Sequence, residues 1–283
     1  MSLYHTFWRY ETVAELEFYK MSASGNDFIL IDNRDGKAYK KFRNISEFVK
    51  KVSRQHHSVG ADGVILIEDA REGSDFSWRF FNADGSEAEM CGNGGRCAAR
   101  FAKMQGIAGE KMAFETMAGI IKAEVNGAKV KLQLTTPKEL KLDYPVKLED
   151  KEIFINSVDT GVPHAVLVVK DIDYISVNEL GSSIRYHKMF GKKGTNVNFV
   201  EIIDRGNVKL RTYERGVEGE TYACGTGAVA SVVILTRKSQ VESPVNVHTR
   251  GGEILKIYIN EEVYLEGDAK VIFVGKLHEE ALR

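Results

Sequence analysis

The fold of this chain follows from Glu89-Met90-Cys91-Gly92-Asn93-Gly94-Gly95-Arg96-Cys97 and from an echo downstream, Tyr222-Ala223-Cys224-Gly225-Thr226-Gly227-Ala228. In each stretch a cysteine precedes Gly-x-Gly and then a run of small and apolar residues. Each pattern predicts a helix with the cysteine at its N-terminal entrance. The free N–H groups and partial positive charge at a helix N-terminus favour a thiolate and can hold an anion.

The echo extends well beyond the two cysteines, which lie 133 residues apart (224 − 91). The other aligned pairs are Thr116 with Thr249, Gly119 with Gly252, Gly63–Glu68 with Asn196–Glu201 and, after one added residue, Arg79–Asn82 with Arg211–Glu214. A long repeat with few identities predicts two domains of one fold. We expect residues 1–135 to form the N-terminal domain and residues 136–269 the C-terminal one, with a last strand in 270–283 returning to the first.

Composition excludes several classes of protein. The 283 residues include 39 Lys plus Arg and 40 Asp plus Glu, so no strong field attracts nucleic acid. No apolar run is long enough to span a bilayer. Three cysteines without disulfide-framework spacing favour free thiols in a reducing compartment, so we expect a cytoplasmic protein. The N-terminal stretch Met1–Tyr10 lacks the apolar core of a signal peptide.

The local patterns predict an α+β fold. The pair Asn126-Gly127 is a strong hairpin signal, and the charged stretch Thr136–Glu152 shows no clear periodicity. The predicted helices are Ser46–Val52 and those that follow Cys91 and Cys224; the predicted strands are Phe28–Asp32, Gly63–Glu68, Trp78–Phe81, Ile120–Val125, Lys129–Leu134, Val166–Val169, Val197–Ile203, Val208–Tyr213, Val245–His248, Ile254–Ile259, Tyr264–Leu265 and Val271–Val274. Because the Cys224 helix is apolar nearly all round, we expect two pseudo-symmetric domains, each a mixed sheet or barrel wrapped around a central helix.

Paired cysteines suit one reaction in particular. A carbon acid that inverts loses its proton from one face and regains it on the other, so two groups on opposite sides serve best, one as thiolate and one as thiol. A thiol pKa drawn toward neutrality would suit this proton transfer, and the scheme requires no cofactor. The alternative is that Cys91 and Cys224 merely pack near helix ends. Cys97, inside the first helix, is expected only to pack.

At these residues the chain resembles the diaminopimelate epimerase family, from about Leu16 to the C-terminal strand. The matching motifs are Ser24-Gly25-Asn26-Asp27-Phe28, Phe81-Asn82-Ala83-Asp84-Gly85-Ser86, the Cys91 stretch, Tyr213-Glu214-Arg215-Gly216, Gly219-Glu220-Thr221 and Ala223-Cys224-Gly225-Thr226-Gly227. The resemblance implies a cofactor-independent isomerase that interconverts L,L- and meso-diaminopimelate, in lysine and cell-wall precursor biosynthesis. It also implies a homodimer whose ligand is a small diamino dicarboxylate.

The resemblance assigns roles to single residues. Cys91 and Cys224 would be the two acid/base groups, and His164 and Glu214 would tune them. The backbone N–H groups of Gly92, Asn93, Gly225 and Thr226 would hold the reacting carboxylate. The distal amino acid end would be recognised by Asn26, Asn82, Asn196, Glu214 and Arg215, in agreement with the fit of a guanidinium to a carboxylate. The chain departs from the family at Val162 and Gly63, where a side-chain contact to the distal end is expected to be lost.

Other interpretations of the sequence remain. A Cys-x5-Arg phosphatase loop fails because Arg96 comes one place too early, and the glycines after Cys91 lack the βαβ context of a dinucleotide site. A cysteine hydrolase with His164 as base leaves Cys224 unexplained. A racemase of the proline or hydroxyproline type and a non-catalytic amino-acid-binding protein stay open. The histidines without metal-ligand spacing, so that no metal site is expected, are His56, His57, His187 and His248.

Overall fold

The computed structural model describes residues 16–71, 73–148 and 152–283. The N-terminal stretch, for which we expected no signal peptide, lies outside these residues. The α-helices are α1 (Lys37–Lys41), α2 (Ile45–Val52), α3 (Gly92–Met104), α4 (Val177–Arg185) and α5 (Gly225–Arg237), and short 3₁₀ turns cover Ile172–Tyr174, Lys188–Phe190 and Glu279–Leu282. None of the helices in the described part has the length and apolar character needed to cross a bilayer.

The described strands are hydrogen-bonded into one continuous mixed sheet. In chain order they are β1 (Leu16–Ala23), β2 (Asn26–Asp32), β3 (Gly63–Glu68), β4 (Phe76–Asn82), β5 (Glu87–Ala88), β6 (Lys111–Thr116), β7 (Gly119–Asn126), β8 (Lys129–Leu134), β9 (Lys138–Lys147), β10 (Glu152–Asp159), β11 (Pro163–Val168), β12 (Asn196–Asp204), β13 (Asn207–Glu214), β14 (Gly219–Thr221), β15 (Val245–Thr249), β16 (Ile254–Ile259), β17 (Val263–Asp268) and β18 (Lys270–Leu277).

The strand pairings of the first half recur in the second. Strands β1 and β2 pair antiparallel, β2 and β3 parallel, β3 and β4 antiparallel, and β4 and β6 parallel. Strands β10 and β11, β11 and β12, β12 and β13, and β13 and β15 repeat this sequence of directions. In both halves the parallel register begins at equivalent residues, Gly63 opposite Phe28 and Asn196 opposite His164. His164 therefore occupies the place that Phe28 has in the first half.

The two halves exchange one strand each: the strand that follows the last hairpin of one half pairs with the first strand of the other half. Strand β9 pairs with β10, and β18 pairs in the same antiparallel way with β1. Strands β8 and β17 also pair with each other, which joins the two halves edge to edge. The domain limits at residues 135 and 269 stay a prediction, since these pairings cross between the halves.

The two cysteine-headed helices lie in separate apolar cores. Helix α3 is buried from Asn93 to Ala99 and packs among strands that include β1, β2, β7 and β8. Helix α5 is buried continuously from Gly227 to Leu235 and packs among β10, β11, β12 and β16. A helix with no polar face needs apolar neighbours on all sides, and the curled sheet supplies them. The α+β class, with sheet wrapped around a central helix, is confirmed.

Some of the expected elements have other bounds, and some were missed. Lys129–Leu134 and Ile254–Ile259 agree residue for residue, and the helix predicted at Ser46 starts one residue earlier. The charged stretch Thr136–Glu152, for which no strand was predicted, contains β9, most of whose residues are exposed; residues 149–151 of this stretch are not described. Pairing with β10 rather than burial holds β9 in place, so no alternation of apolar residues marks it. Helix α4 and strands β1, β6 and β10 also carried no signal that we recognised.

Candidate active site

Both cysteines open onto one cavity of about 550 Å³. Cys91 is the N-cap of α3 and Cys224 is the N-cap of α5, as the sequence predicted. The cavity is lined by Asn26, Glu89, Met90, Cys91, Gly92, Asn93, Arg96, Ala118, Leu134, Thr135, Thr160, Gly161, Val162, Glu214, Ala223, Cys224, Gly225, Thr226 and Leu265. The free N–H groups of two helix N-termini and two thiols therefore meet around the same space.

The Cys91 thiol is half-buried and interacts with the first turn of its own helix. Its Sγ accepts a hydrogen bond from the Gly94 N–H at 3.4 Å. Burial raises the pKa of Cys91, and the N–H groups of Gly94 and Asn93 and the charge of Arg96 oppose that rise. The surroundings of Cys91 thus contain several groups that stabilise a thiolate.

The Cys224 thiol is more deeply buried and lies in a less favourable field. Its Sγ lies 3.6 Å from the Thr226 hydroxyl. Burial, followed by the negative charge of Glu214, raises the pKa of Cys224 to about 12, while Thr226 and the Gly227 N–H act in the opposite direction. Glu214 is itself largely enclosed, and burial raises its pKa.

Our expectation of thiol pKa values drawn toward neutrality was wrong for both cysteines in this structure. The helix N-termini do lower the two pKa values, as expected, but the loss of solvent outweighs them. Sequence shows the donors in the glycine-rich turn and does not show how fully the strands enclose the sulfur atoms.

One ion pair holds the chain just before each cysteine, and neither pair was predicted from the sequence. Arg79 Nε and Nη2 bond both carboxylate oxygens of Glu87, at 2.7 and 2.8 Å. Arg211 bonds Glu220 in the same two-pronged way, at 2.6 and 2.7 Å. Each glutamate lies four residues before its cysteine (91 − 87 and 224 − 220). The repeat carried this signal, because Arg79 and Arg211 are aligned in it.

The two halves differ behind the cysteines. In the second half His164, Asn198 and Thr212 form a buried polar trio: the Asn198 amide lies 3.0 Å from His164 Nδ1, donates to the Ala165 carbonyl at 3.0 Å and accepts from the Thr212 hydroxyl at 3.0 Å. In the first half the equivalent residues are apolar: Phe28, Ile65 and Phe80. The second helix therefore begins against hydrogen-bonding groups, and the first against hydrocarbon.

Comparison with known proteins agrees with this geometry. The family model described as diaminopimelate epimerase matches residues 18–139 and 156–272. The chain belongs to the diaminopimelate epimerase family. It is 50% identical over 278 residues to the diaminopimelate epimerase of Aquifex aeolicus, covering 94% of this chain and 99% of that one. The diaminopimelate epimerase of Archaeoglobus fulgidus is 41% identical over 281 residues, covering 95% and 98%.

Solved structures with the same fold have much lower identity to this epimerase-family chain. A PhzF-family phenazine biosynthesis protein from Bacillus anthracis matches with a TM-score of 0.68 at 14% identity, covering 93% of this chain and 99% of that one. A hydroxyproline epimerase from Agrobacterium vitis, with bound trans-4-OH-L-proline, matches with a TM-score of 0.68 at 15% identity, covering 94% and 93%. These two likenesses concern the fold alone.

The predicted site residues of this diaminopimelate epimerase family member divide into two groups. The cavity wall contains Asn26, Cys91, Gly92, Asn93, Glu214, Cys224, Gly225 and Thr226. Asn82, Asn196, Arg215 and His164 are not in that wall. The exposed Asn82 donates to the Ser86 hydroxyl at 3.1 Å. Asn196 is buried and accepts from the backbone N–H of Arg215 at 2.8 Å, which fixes the chain next to Glu214.

His164 does not line the cavity onto which the two thiols open. It is fully buried and contributes to the wall of a different cavity of about 470 Å³. Burial and the charge of Arg215 lower its pKa to about 3, so the ring is neutral near pH 7. Of the family departures, Val162 lies in the cysteine cavity wall. Gly63 is packed so closely that an added Cβ would lie 2.6 Å from the Phe80 ring and from the Phe81 carbonyl.

Cys97, the third cysteine, does not line the cavity. Cys97 is fully buried in the first core, and burial raises its pKa to about 12, which agrees with the expected packing role. Among the residues that the structure describes, no three His, Cys, Asp or Glu side chains lie close enough together to hold a metal ion.

Proposed function

We propose that this chain is a diaminopimelate epimerase that interconverts the L,L and meso isomers by two-base proton transfer. The observation that carries the proposal is that Cys91 and Cys224, the N-caps of two different helices, open onto one cavity. The curated relatives named diaminopimelate epimerase, at up to 50% identity among those compared, supply the substrate.

In the reaction, one thiolate removes the α-proton while the opposite thiol supplies a proton to the other face. A lone pair of the first thiolate forms the new S–H bond, while the electron pair of the breaking C–H bond is delocalised into the α-carboxylate. That pair then returns to the α-carbon to take the proton of the opposite thiol, and the pair of the breaking S–H bond stays on sulfur as the second thiolate. The N–H groups of Gly92, Asn93, Gly225 and Thr226 hold the carboxylate, where charge accumulates in the transition state. All atoms and charges balance without a cofactor.

Charge asymmetry favours one resting arrangement of the two protons. Arg96 stabilises a thiolate at Cys91, whereas Glu214 disfavours a thiolate at Cys224. The cationic α-ammonium of the substrate adds a positive charge between the sulfur atoms and so offsets part of the burial cost. We propose that, before the reaction begins, Cys91 is the thiolate that acts as the base and Cys224 is the thiol that acts as the acid.

Recognition of the distal end is assigned to polar residues around the cavity. Asn26 and Glu214 lie in the wall, and Glu214 suits the distal ammonium. Asn196 fixes the backbone of Arg215, whose guanidinium suits the distal carboxylate. Asn82 would approach this end, and Glu214 and His164 would influence the thiols, as the family resemblance implies.

The assembly and location of the protein are part of the same proposal. Ile272, Phe273 and Val274 on strand β18 are 56%, 46% and 49% exposed. The exposed side chains of Phe273 and Val274 lie on opposite faces of β18, which suits a strand covered by a second copy, so we propose a homodimer. Three free cysteines suit the cytoplasm. Sedimentation equilibrium tests the dimer, and a monomer at micromolar concentration would contradict it.

The test of the activity is conversion of L,L-diaminopimelate, followed by chiral chromatography. We expect an approach to an equilibrium mixture of the L,L and meso isomers, without inversion of proline or trans-4-hydroxyproline. Inversion of proline instead would move the chain to the racemase alternative. Binding of diaminopimelate without any conversion would favour the amino-acid-binding alternative.

A further inference from the structure

Arg96 is a fully buried charge on α3, and it is not one of the groups that transfer a proton. In the repeat its equivalent on α5 is Val229 (96 + 133). Burying a guanidinium is costly unless it makes strong interactions. Because the second half has valine at this position, the buried charge of Arg96 must serve a purpose that only the first half, with Cys91, requires.

The guanidinium begins a chain of hydrogen bonds that runs through two residues of the cavity wall and ends at Asp62. Arg96 Nη2 donates to Asn93 Oδ1 at 3.0 Å and to the Ser24 hydroxyl at 2.5 Å. Asn93 Nδ2 donates to Asn26 Oδ1 at 2.8 Å, and Asn26 Nδ2 donates to Asp62 Oδ2 at 2.9 Å.

Because arginine can only donate and a carboxylate can only accept, the orientation of both amides is fixed from the two ends. Asn93 and Asn26 lie in the cavity wall. An added Cβ on Gly225, at the start of α5, would lie 3.7 Å from Asn93 Oδ1. The oriented amide of Asn93 therefore stands between the two cysteine-headed helices.

Two further departures from the repeat accompany Arg96. Glu253 corresponds to Ile120, and Gly267 corresponds to Leu134 (253 − 133 and 267 − 133). An added Cβ on Gly267 would lie 3.4 Å from Arg96 Nε and 3.2 Å from Glu253 Oε1. Gly267 thus leaves room for the Arg96 guanidinium and the Glu253 carboxylate. Arg96, Glu253 and Gly267, the three departures from the repeat, lie next to one another.

We propose that Arg96 is a positioning residue for the epimerisation: its guanidinium orients the Asn93 and Asn26 amides toward the substrate and holds a positive charge beside Cys91. The inference rests on the proposed function. Arg96 does not touch the reacting carbon in this account. It acts through the two amides and through its field.

The charges around Arg96 and Cys91 support this role. Burial lowers the pKa of Arg96, and the nearby acidic groups oppose that shift in the order Glu253, Cys97, Cys91 and Asp268. At Cys91 the positive charge of Arg96 favours the thiolate, whereas Asp62 disfavours it. Loss of the Arg96 charge should therefore move the thiolate at Cys91 to higher pH.

The test compares Arg96→Met, Arg96→Lys and the control Arg100→Met in the full chain. Methionine removes the charge, and lysine keeps a charge but not the planar fork. Arg100 lies one helical turn further on and donates to the Ala269 carbonyl, away from the cavity. The measurements are kcat and KM for L,L-diaminopimelate against pH, with circular dichroism to establish folding.

In Arg96→Met we expect kcat/KM to fall about tenfold to a hundredfold, with the rising limb of its pH profile moved to higher pH. Arg96→Lys should keep the wild-type limb and raise KM, because the field survives while the amides lose their fixed orientation. Arg100→Met should match the wild type. An unmoved limb together with an unchanged KM in folded Arg96→Met would overturn the inference.

If Arg96→Met does not fold, Ser24→Ala tests the positioning role instead. This variant removes one acceptor of Arg96 Nη2 and leaves the guanidinium charge in place. It should raise KM about threefold with the pH limb unmoved. An unchanged KM would refute the positioning role. Wild-type protein that does not epimerise diaminopimelate would instead refute the proposed function, so the two failures are distinguishable.

Discussion

Replacing Gly227 by alanine should destabilise this protein, although glycine-to-alanine changes usually stabilise helices. Gly227 is the third residue of α5, and an added Cβ would lie 2.2 Å from Asn198 Oδ1 and 3.2 Å from Cys224 Sγ. No Cβ can approach an oxygen that closely, so the Asn198 amide must move. It is fully buried and bonded to His164, Ala165 and Thr212.

The magnitude follows from those three hydrogen bonds. Each contributes about 1 kcal/mol net, so displacement of the amide costs roughly 3 kcal/mol. The higher helix propensity of alanine returns up to about 1 kcal/mol. For a chain of 283 residues, whose unfolding entropy is about 0.6 kcal/mol/K, the net loss of about 2 kcal/mol should lower the melting temperature by roughly 3 to 4 °C.

The repeat provides a matched control in Gly94→Ala. Gly94 is the equivalent third residue of α3, and an added Cβ would meet Ile65 Cδ1 at 3.2 Å and Cys91 Cβ at 3.5 Å. A methyl group at the end of a side chain can shift by a few tenths of an ångström, so the melting temperature should change by less than about 2 °C. Differential scanning calorimetry measures both variants. A Gly227→Ala protein as stable as the wild type would refute the reasoning about the polar trio.

Four other outcomes follow from the same structure. Cys91→Ala and Cys224→Ala should each lower epimerisation roughly a thousandfold, and a variant that kept more than about a tenth of the activity would remove that cysteine from the mechanism. The wild-type kcat/KM should rise from pH about 6 to 9, because burial raises both thiol pKa values and the base acts as thiolate; a falling profile would contradict this. The pKa of His164 is 6.5 in the unfolded chain and about 3 in the folded protein, so unfolding takes up a proton between these two pH values. The free energy of unfolding should therefore fall as the pH falls from 6.5 toward 3, and it should fall less steeply in His164→Gln. Arg211→Met should reduce the free energy of unfolding by about 1 to 2 kcal/mol and Arg79→Met by less, because the Arg211–Glu220 pair is less exposed than the Arg79–Glu87 pair. A larger loss in Arg79→Met than in Arg211→Met, measured by urea unfolding, would contradict this reasoning.

The features that sequence predicted well are those set by local chemistry and by repetition. The cysteine followed by Gly-x-Gly predicted two N-capped helices, and the all-apolar run after Cys224 predicted that α5 is enclosed. Asn126-Gly127 predicted the hairpin between β7 and β8. The repeat aligned Gly63 with Asn196, and these residues begin β3 and β12, although the second strand was predicted to begin one residue later, at Val197.

The features that sequence did not predict depend on long-range contacts. Strand β9 is held by pairing and not by burial, so its charged residues gave no periodic signal. The thiol pKa values were predicted with the wrong sign because enclosure by distant strands outweighs nearby N–H groups. Arg96 was considered only as a failed phosphatase arginine, although its valine counterpart in the repeat marked it as unusual.

The two-base claim is tested most directly by the fate of the α-proton in deuterium oxide. L,L-diaminopimelate is incubated briefly with the enzyme, and the product and the recovered substrate are separated and analysed by mass spectrometry. Two thiols on opposite faces predict one solvent deuterium in the meso product and almost none in unconverted substrate. Meso product that retains the original proton would show that a single group serves both faces, and the account of Cys91 and Cys224 as partners would then be wrong.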